Sequence, residues 1–281
     1  MRIALIARSP EHSPNMGKND TAILECVAEE LSRMGAEVYR IEKETPVPDG
    51  TDAICHMARG EKTLSLIEEA ERRGVIAVNP ADAVRKCSRI DFMTMLLECR
   101  IKQPHFEIID AGDDLNRLCY PAWIKRADGW SCHKDDVCYV ESASDAETAI
   151  ARMSTRGINR YIWSKHTEGD IVKFYGIGGT FFHCSYPNPE TTKFGLERFN
   201  GKPSQYEFNR HELETIAVTA AKRLGLVVYG GDCIITKNGE ILVIDINDFP
   251  SFSSIREKAA RMIARLITVK TDKILKDEER G

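Results

Sequence analysis

Residues 230–252 read Gly-Gly-Asp-Cys-Ile-Ile-Thr-Lys-Asn-Gly-Glu-Ile-Leu-Val-Ile-Asp-Ile-Asn-Asp-Phe-Pro-Ser-Phe. Two apolar runs flank Lys237-Asn238-Gly239, and Asn-Gly between such runs signals a tight hairpin, because both residues tolerate the positive φ that the turn requires. Asp232 falls on the first strand, Asp245 and Asn247 on the second. Side chains two apart on a strand share a face, so Asp245 and Asn247 project together and the hairpin can bring Asp232 beside them. The alternative is that both aspartates merely flank turns. Asp is depleted in strand interiors, yet Asp245 interrupts an Ile-Leu-Val-Ile run, which favours a functional role. Two carboxylates and an amide are hard oxygen donors that suit Mg²⁺, which takes one or two carboxylates and completes its octahedron with water and phosphate oxygens. Asp232, Asp245 and Asn247 are therefore the predicted ligands of one or two Mg²⁺ ions.

Bulk properties narrow the class. The 281 residues carry a net charge of -4, with 42% apolar and 29% charged residues, as in a globular protein without global attraction to nucleic acid. No window approaches the ~18 apolar residues of a membrane span. The apolar start is cut by Arg8, too early for a leader peptide, and reads as a first strand. Nine scattered cysteines without a Cys-x-x-Cys pair point to a reducing, cytoplasmic setting. A small-molecule acceptor is expected as partner, with no nucleic acid and no membrane, for a monomer or homodimer.

Along the chain, strands at 2–8, 37–41, 53–56 and 76–79 alternate with helices at 20–34 and 63–73, which implies a parallel α/β domain over 1–80. Ligands in such domains bind at strand C-terminal ends. Ala81 to Cys99 reads as helical. Strands follow at 122–125, 137–141 and 161–164, with a helix from Ser144 to Ser154 whose Ser144 and Glu147 form a capping box. Asp170 to Ile177 and Thr180 to Tyr186 form a hairpin around Gly178-Gly179. Residues 187–206 read as a mobile loop, 211–224 as a helix ended by Gly225, and 253–266 as a last helix before a charged tail that frays.

That order resembles the ATP-grasp superfamily across essentially the whole chain. The resemblance implies an α/β plus α+β fold in which an N-terminal parallel domain (1–80) precedes an ATP-grasp region (81–281), whose small lobe (about 110–162) and large lobe (about 163–270) enclose ATP. Lys125 looks like the family's lysine on the α- and β-phosphates. Residues 126–133, Arg-Ala-Asp-Gly-Trp-Ser-Cys-His, look like its phosphate-covering loop, with Gly129 and Ser131 near the nucleotide. Ser88-Arg-Ile-Asp91 is similar to the family's Ser-x-Asp-Lys helix start. Arg89 or Lys86 is then a second phosphate contact, or the segment is a capped helix with solvated charges. The adenine linker reads Trp163-Ser164-Lys165-His166 and lacks the usual acidic residue, leaving Glu168 or Asp170 for the ribose.

Asp-Ile-Asn-x-Phe-Pro, here Asp245 to Pro250, is similar to the inositol trisphosphate 5/6-kinase branch, whereas ligases more often show Glu-x-Asn. The family's Pro-Gly is replaced by Pro250-Ser251. The kinase resemblance implies that His133 and Lys173 serve catalysis and that Lys18, Arg59, His133, Lys173 and Ser251 hold a phosphorylated polyol. The alternative is a carboxylate–amine ligase of the ribosomal-protein glutamate ligase kind, where Arg is usual at the position of Lys173.

Overall fold

The computed structural model describes residues 1–187 and 195–278. Strands β1 (Arg2–Ile6), β2 (Glu37–Arg40), β3 (Ala53–His56) and β4 (Ile76–Val78) pair in parallel in the order β2-β1-β3-β4. Helix α1 (Gly17–Arg33) buries Ile23, Leu24, Val27 and Leu31 on one face of this sheet, the stripe its helical spacing dictates. Helix α2 (Glu61–Arg72) buries Leu64, Ile67 and Ala70 on the other.

The stretch 81–99, expected as one helix, is two. Helix α3 (Ala81–Arg85) stops, and Ser88 starts α4 (Arg89–Glu98) by accepting the Asp91 N–H. The break turns Arg89 inward, where it is buried. Strands β5 (Phe106–Asp110), β6 (Ala122–Arg126), β7 (Val137–Val140) and β8 (Arg160–Lys165) then form an antiparallel sheet ordered β5-β8-β6-β7, covered by α5 (Ala143–Ser154). The sequence reading had no β5. It is an edge strand with only Ile109 fully buried, so pairing with β8 specifies it more than its own pattern does. The cap of α5 is Ser142, whose Oγ accepts from the Asp145 N–H at 3.2 Å, and not Ser144 as expected.

The third sheet is antiparallel, ordered β10-β9-β11-β12, from β9 (Asp170–Ile177), β10 (Phe181–Ser185), β11 (Val228–Ile235) and β12 (Ile241–Asp248). Helix α6 (Arg210–Leu224) and α4 share its core, and α6 ends on Gly225 at φ +81°. Of the loop expected to be mobile, 188–194 lies outside the described residues. The remainder contains a short turn of 3-10 helix, Leu196–Asn200, and is fastened where Asp170 accepts the N–H groups of Ser204 (2.7 Å) and Tyr206 (2.9 Å). Helix α7 (Arg256–Glu278) returns to α1 and adds Ala259, Ala260, Ile263, Ala264 and Ile267 to its core. It continues as helix past 270, where buried Thr271 extends the Ile263/Ile267 stripe and its Oγ1 donates to Ile267 O. No helix among the described residues is long and apolar enough to cross a membrane.

Two polar connections tie the N-terminal domain to the third sheet. Asn79 Oδ1 accepts from the N–H groups of Val227 (2.8 Å) and Val228 (2.7 Å), and its Nδ2 donates to Val228 O (2.7 Å). Asp248, 1% exposed, accepts from Arg59 Nε at 2.8 Å and Arg8 Nη2 at 3.2 Å; Arg59 Nη2 lies 2.6 Å away. Burial raises the Asp248 pKa, but Arg59 and Arg8 outweigh it and hold the carboxyl below its ordinary value. Asp248→Ala leaves the Arg59 guanidinium buried without its carboxylate and Arg8 with Asp20 alone, and chemical denaturation is expected to show a loss of about 3–5 kcal/mol. Because the folded pKa is depressed, the carboxylate's contribution is full above about pH 4 and fades as the pH falls further. The wild type should therefore lose stability in acid more steeply than the variant.

Candidate active site

The three sheets converge on a cavity of about 380 Å³. Its floor is set by register. Lys173 on β9, Asp232 on β11 and Asp245 on β12 lie opposite one another in a row across three strands. A bulge produces that row. From the turn, Ile235 pairs with Ile241 and Cys233 with Val243, which would place Asp232 opposite Ile244. The shift between Asp232 and Cys233 places it opposite Asp245 instead. Gly231 is required beside them, since a Cβ there would lie 2.3 Å from Asp245 O.

Lys173 Nζ donates to Asp232 Oδ1 at 2.9 Å, and Asn247 Nδ2 to Asp245 Oδ2 at 2.8 Å. Asn247 Oδ1 accepts no hydrogen bond from any described residue. Among the described residues no cluster of three or more His, Cys, Asp or Glu forms a metal site. The acidic pair with Asn247 supplies carboxylate and amide oxygens facing one cavity, and Asp232 already attracts a cation. This donor chemistry fits a hard divalent ion completed by non-protein oxygens.

Opposite this acidic row stand two cations. Lys125, from β6, is 9% exposed and makes no hydrogen bond or ion pair to any described residue. Burial, then the nearby Arg89 guanidinium, pull its pKa down to about 7 against the opposing pull of Asp245. Arg89 Nη2 donates to Ser131 Oγ at 2.8 Å, while its Nε is buried without a partner among the described residues. Two neighbouring buried cations, one unpaired, form a receptor for an anion. Gly129 and Ser131 line the same space, as do Ser164 and Lys165 from the end of β8. Trp123, two residues before Lys125 on the same strand, lines it too.

The far end of the cavity brings the expected Arg59 and Ser251 together with groups not expected from the sequence: Arg8, His12, Ser13, Asp20, Trp130 and Asp248. Arg8 lies between Asp248 and Asp20, 3.6 Å from the latter, and Ser13 Oγ donates to Asp20 at 2.6 Å. Arg59 is stacked under Trp130 at 5.1 Å, and His12 meets the Trp130 edge. Ser251 lines this end. Arg8 lies two residues beyond the end of β1, where the strand-end rule for α/β domains gave a signal; Asp248 is the last residue of β12. The pairing of the two was not legible.

Other expected residues sit elsewhere. Trp163 faces the core under α5, because alternation on β8 turns it away from the cavity. His166 accepts from Trp123 Nε1 at 3.1 Å outside the lining, and Asp170 is buried in fastening 204–206 rather than facing a ribose. Lys18 is exposed on the first turn of α1. His133 caps a short 3-10 turn with its side chain half-exposed. Neither lines the cavity, so the four basic residues expected around a phosphorylated acceptor do not converge: only Arg59 and Lys173 reach it, each paired with a carboxylate.

No protein-family model and no curated protein matches the chain. Its structure is similar to D-alanine–D-alanine ligase from Bacillus anthracis complexed with ATP, at 14% identity, 99% of both chains covered and a TM-score of 0.71. It is also similar to the D-alanine–D-alanine ligase from Coxiella burnetii (14% identity, 99% of this chain and 97% of that one, TM-score 0.73). A RimK domain ATP-grasp protein from Sphaerobacter thermophilus matches at 18% identity over 95% of this chain and 100% of its own, with a TM-score of 0.69. At these identities the likeness is one of fold, and the fold of this chain is ATP-grasp.

Proposed function

We propose that this chain is an ATP-dependent ligase that joins a carboxylate to an amine through an acylphosphate, releasing ADP and phosphate. The charge balance of the acceptor end carries this reading. Arg8 and Arg59 are matched there by Asp20 and Asp248, and no side chain of the four is more than 8% exposed. A multiply phosphorylated polyol calls for a surplus of positive charge, whereas a carboxylate with an amine calls for both signs. The ATP-bound ligase of the same fold supports the choice. A kinase of phosphorylated polyols is the second reading, favoured by Asp245-Ile-Asn-Asp-Phe-Pro250.

On this reading Lys125 and Arg89 take the nucleotide's phosphate oxygens, which relieves their mutual repulsion. Asp232, Asp245 and Asn247 hold Mg²⁺, which when bound neutralises phosphate charge. In-line transfer then needs positioning more than a protein nucleophile. The acceptor carboxylate oxygen attacks the γ-phosphorus and ADP leaves. The amine next attacks the acyl carbon and phosphate departs. Lys173, held by Asp232, keeps one positive charge at the metal row, and Trp130 closes the loop 126–133 over Arg59 at the acceptor end.

Asp245→Asn should abolish Mg²⁺-dependent ADP release while thermal unfolding stays near wild type, since the change is isosteric; near-normal turnover would remove the metal assignment. With pooled acceptors, ADP release by the wild type should require a carboxylate together with an amine. Release with a polyol phosphate alone would favour the kinase. Lys125 makes a pH prediction. The protonated form binds phosphate and its free-state pKa is about 7, so Mg-ATP affinity should fall as the pH rises from about 6 to about 9, with proton uptake on binding. Calorimetry in buffers of different ionisation enthalpy reads that uptake. Lys125→Met should bind Mg-ATP more weakly, by about 1.5–3 kcal/mol, and lose this pH dependence.

A further inference from the structure

The loop at 126–133 is held at its base by one carboxylate. Asp136, 0% exposed, accepts at the same Oδ2 from the Cys132 N–H (2.7 Å) and the His133 N–H (2.8 Å). Arg126 Nη1, from the other end of the loop, reaches that oxygen at 3.4 Å. Arg156 Nη1, from the turn after α5, donates to Oδ1 at 2.6 Å. Burial alone would raise the pKa of this carboxyl. Arg156, the two N–H groups and Arg126 outweigh that and keep it below its ordinary value. Arg126 also closes on the loop itself, its Nε donating to Asp128 O at 2.8 Å, and the Ala127 N–H stays in strand-like pairing with Arg160 O at 3.1 Å.

The backbone donors of the loop are thereby divided. Those at its two ends are committed to protein acceptors. At the tip, the N–H groups of Gly129 and Trp130 bond to no described residue, and both residues line the cavity beside Lys125 and Arg89. Gly129 adopts φ +70°, which turns the tip back on itself.

We propose that Asp136 is a positioning residue for phosphate recognition: by pinning both ends of the loop it presents the tip N–H groups, together with the Ser131 hydroxyl, to the phosphates of a nucleotide. The inference rests on the nucleotide reading above. Asp136 never touches the ligand. It acts by removing the ordering that the loop would otherwise undergo on binding, and Arg156, outside the cavity lining and on the far side of Asp136, acts only through it.

Because the loop faces phosphates and not the base, the test compares Mg-ATP with adenosine. Calorimetry on Asp136→Asn is expected to show about tenfold weaker Mg-ATP binding, with adenosine changed by less than about twofold. Arg156→Met, at a site 30% exposed and tolerant of change, should weaken Mg-ATP in the same direction by about threefold and guards against a folding defect in the first variant. Amide hydrogen exchange across 129–133 should rise in both variants without nucleotide. Equal losses of Mg-ATP and adenosine would reduce Asp136 to a general stability role and overturn the proposal. So would raised loop exchange with unchanged Mg-ATP affinity. A wild type that takes no Mg-ATP would sink the nucleotide reading and the inference with it, an outcome distinct from either of these.

Discussion

The buried carboxylate of Asp248, shared by Arg8 and Arg59, is the constraint on which the site depends. It joins the end of β12 to groups at the C-terminal ends of β1 and β3, so the Arg8–Arg59 end of the cavity and the row Lys173–Asp232–Asp245 are two ends of one connection. Neither guanidinium can leave without stranding charge in a low-dielectric interior, where an unpaired ion costs several kcal/mol. Arg59 is further clamped beneath Trp130, which carries this constraint into the loop 126–133.

From that fixed point the cavity separates charge. Asp232 and Asp245 face it from one sheet, Lys125 from β6 of another and Arg89 from the start of α4. The two sets do not cancel through direct bonds: Lys125 has no partner among the described residues and is driven toward neutrality by burial. On the proposed reading, a site for anions and a cation needs both sets kept apart until the ligand arrives. The fold keeps them apart by placing them on different sheets.

The row Lys173–Asp232–Asp245 shows how local irregularity sets chemistry. Regular pairing from the Asn238-Gly239 turn would oppose a carboxylate with Ile244. One bulged residue brings the carboxylates level, and two glycines let the strand backbones pack around them. Bulges beside functional sites commonly re-aim side chains in this way.

Most strands and helices and the acidic hairpin were legible in the sequence alone, because each rests on local periodicity and turn chemistry; the ATP-grasp resemblance rested on their order and on short motifs. Asp232, Asp245 and Asn247 stood out because a polar residue within an apolar strand is visible without knowing its neighbours, whereas Lys125 stood out through the resemblance. Local signals failed where pairing decides. The edge strand β5, the inward turn of Arg89 at the helix break and the continuation of α7 past residue 270 follow from what each segment packs against. Trp163 and Ser164 are neighbours on β8, yet only Ser164 lines the cavity, since a face is chosen by the sheet and not by composition. The triad of Arg8, Arg59 and Asp248 spans 240 positions, and no local pattern links an arginine at one strand end with a carboxylate so far away. Such long-range charge pairing exists only once folding has brought the three sheets together, which is why this end of the cavity became readable in the tertiary structure.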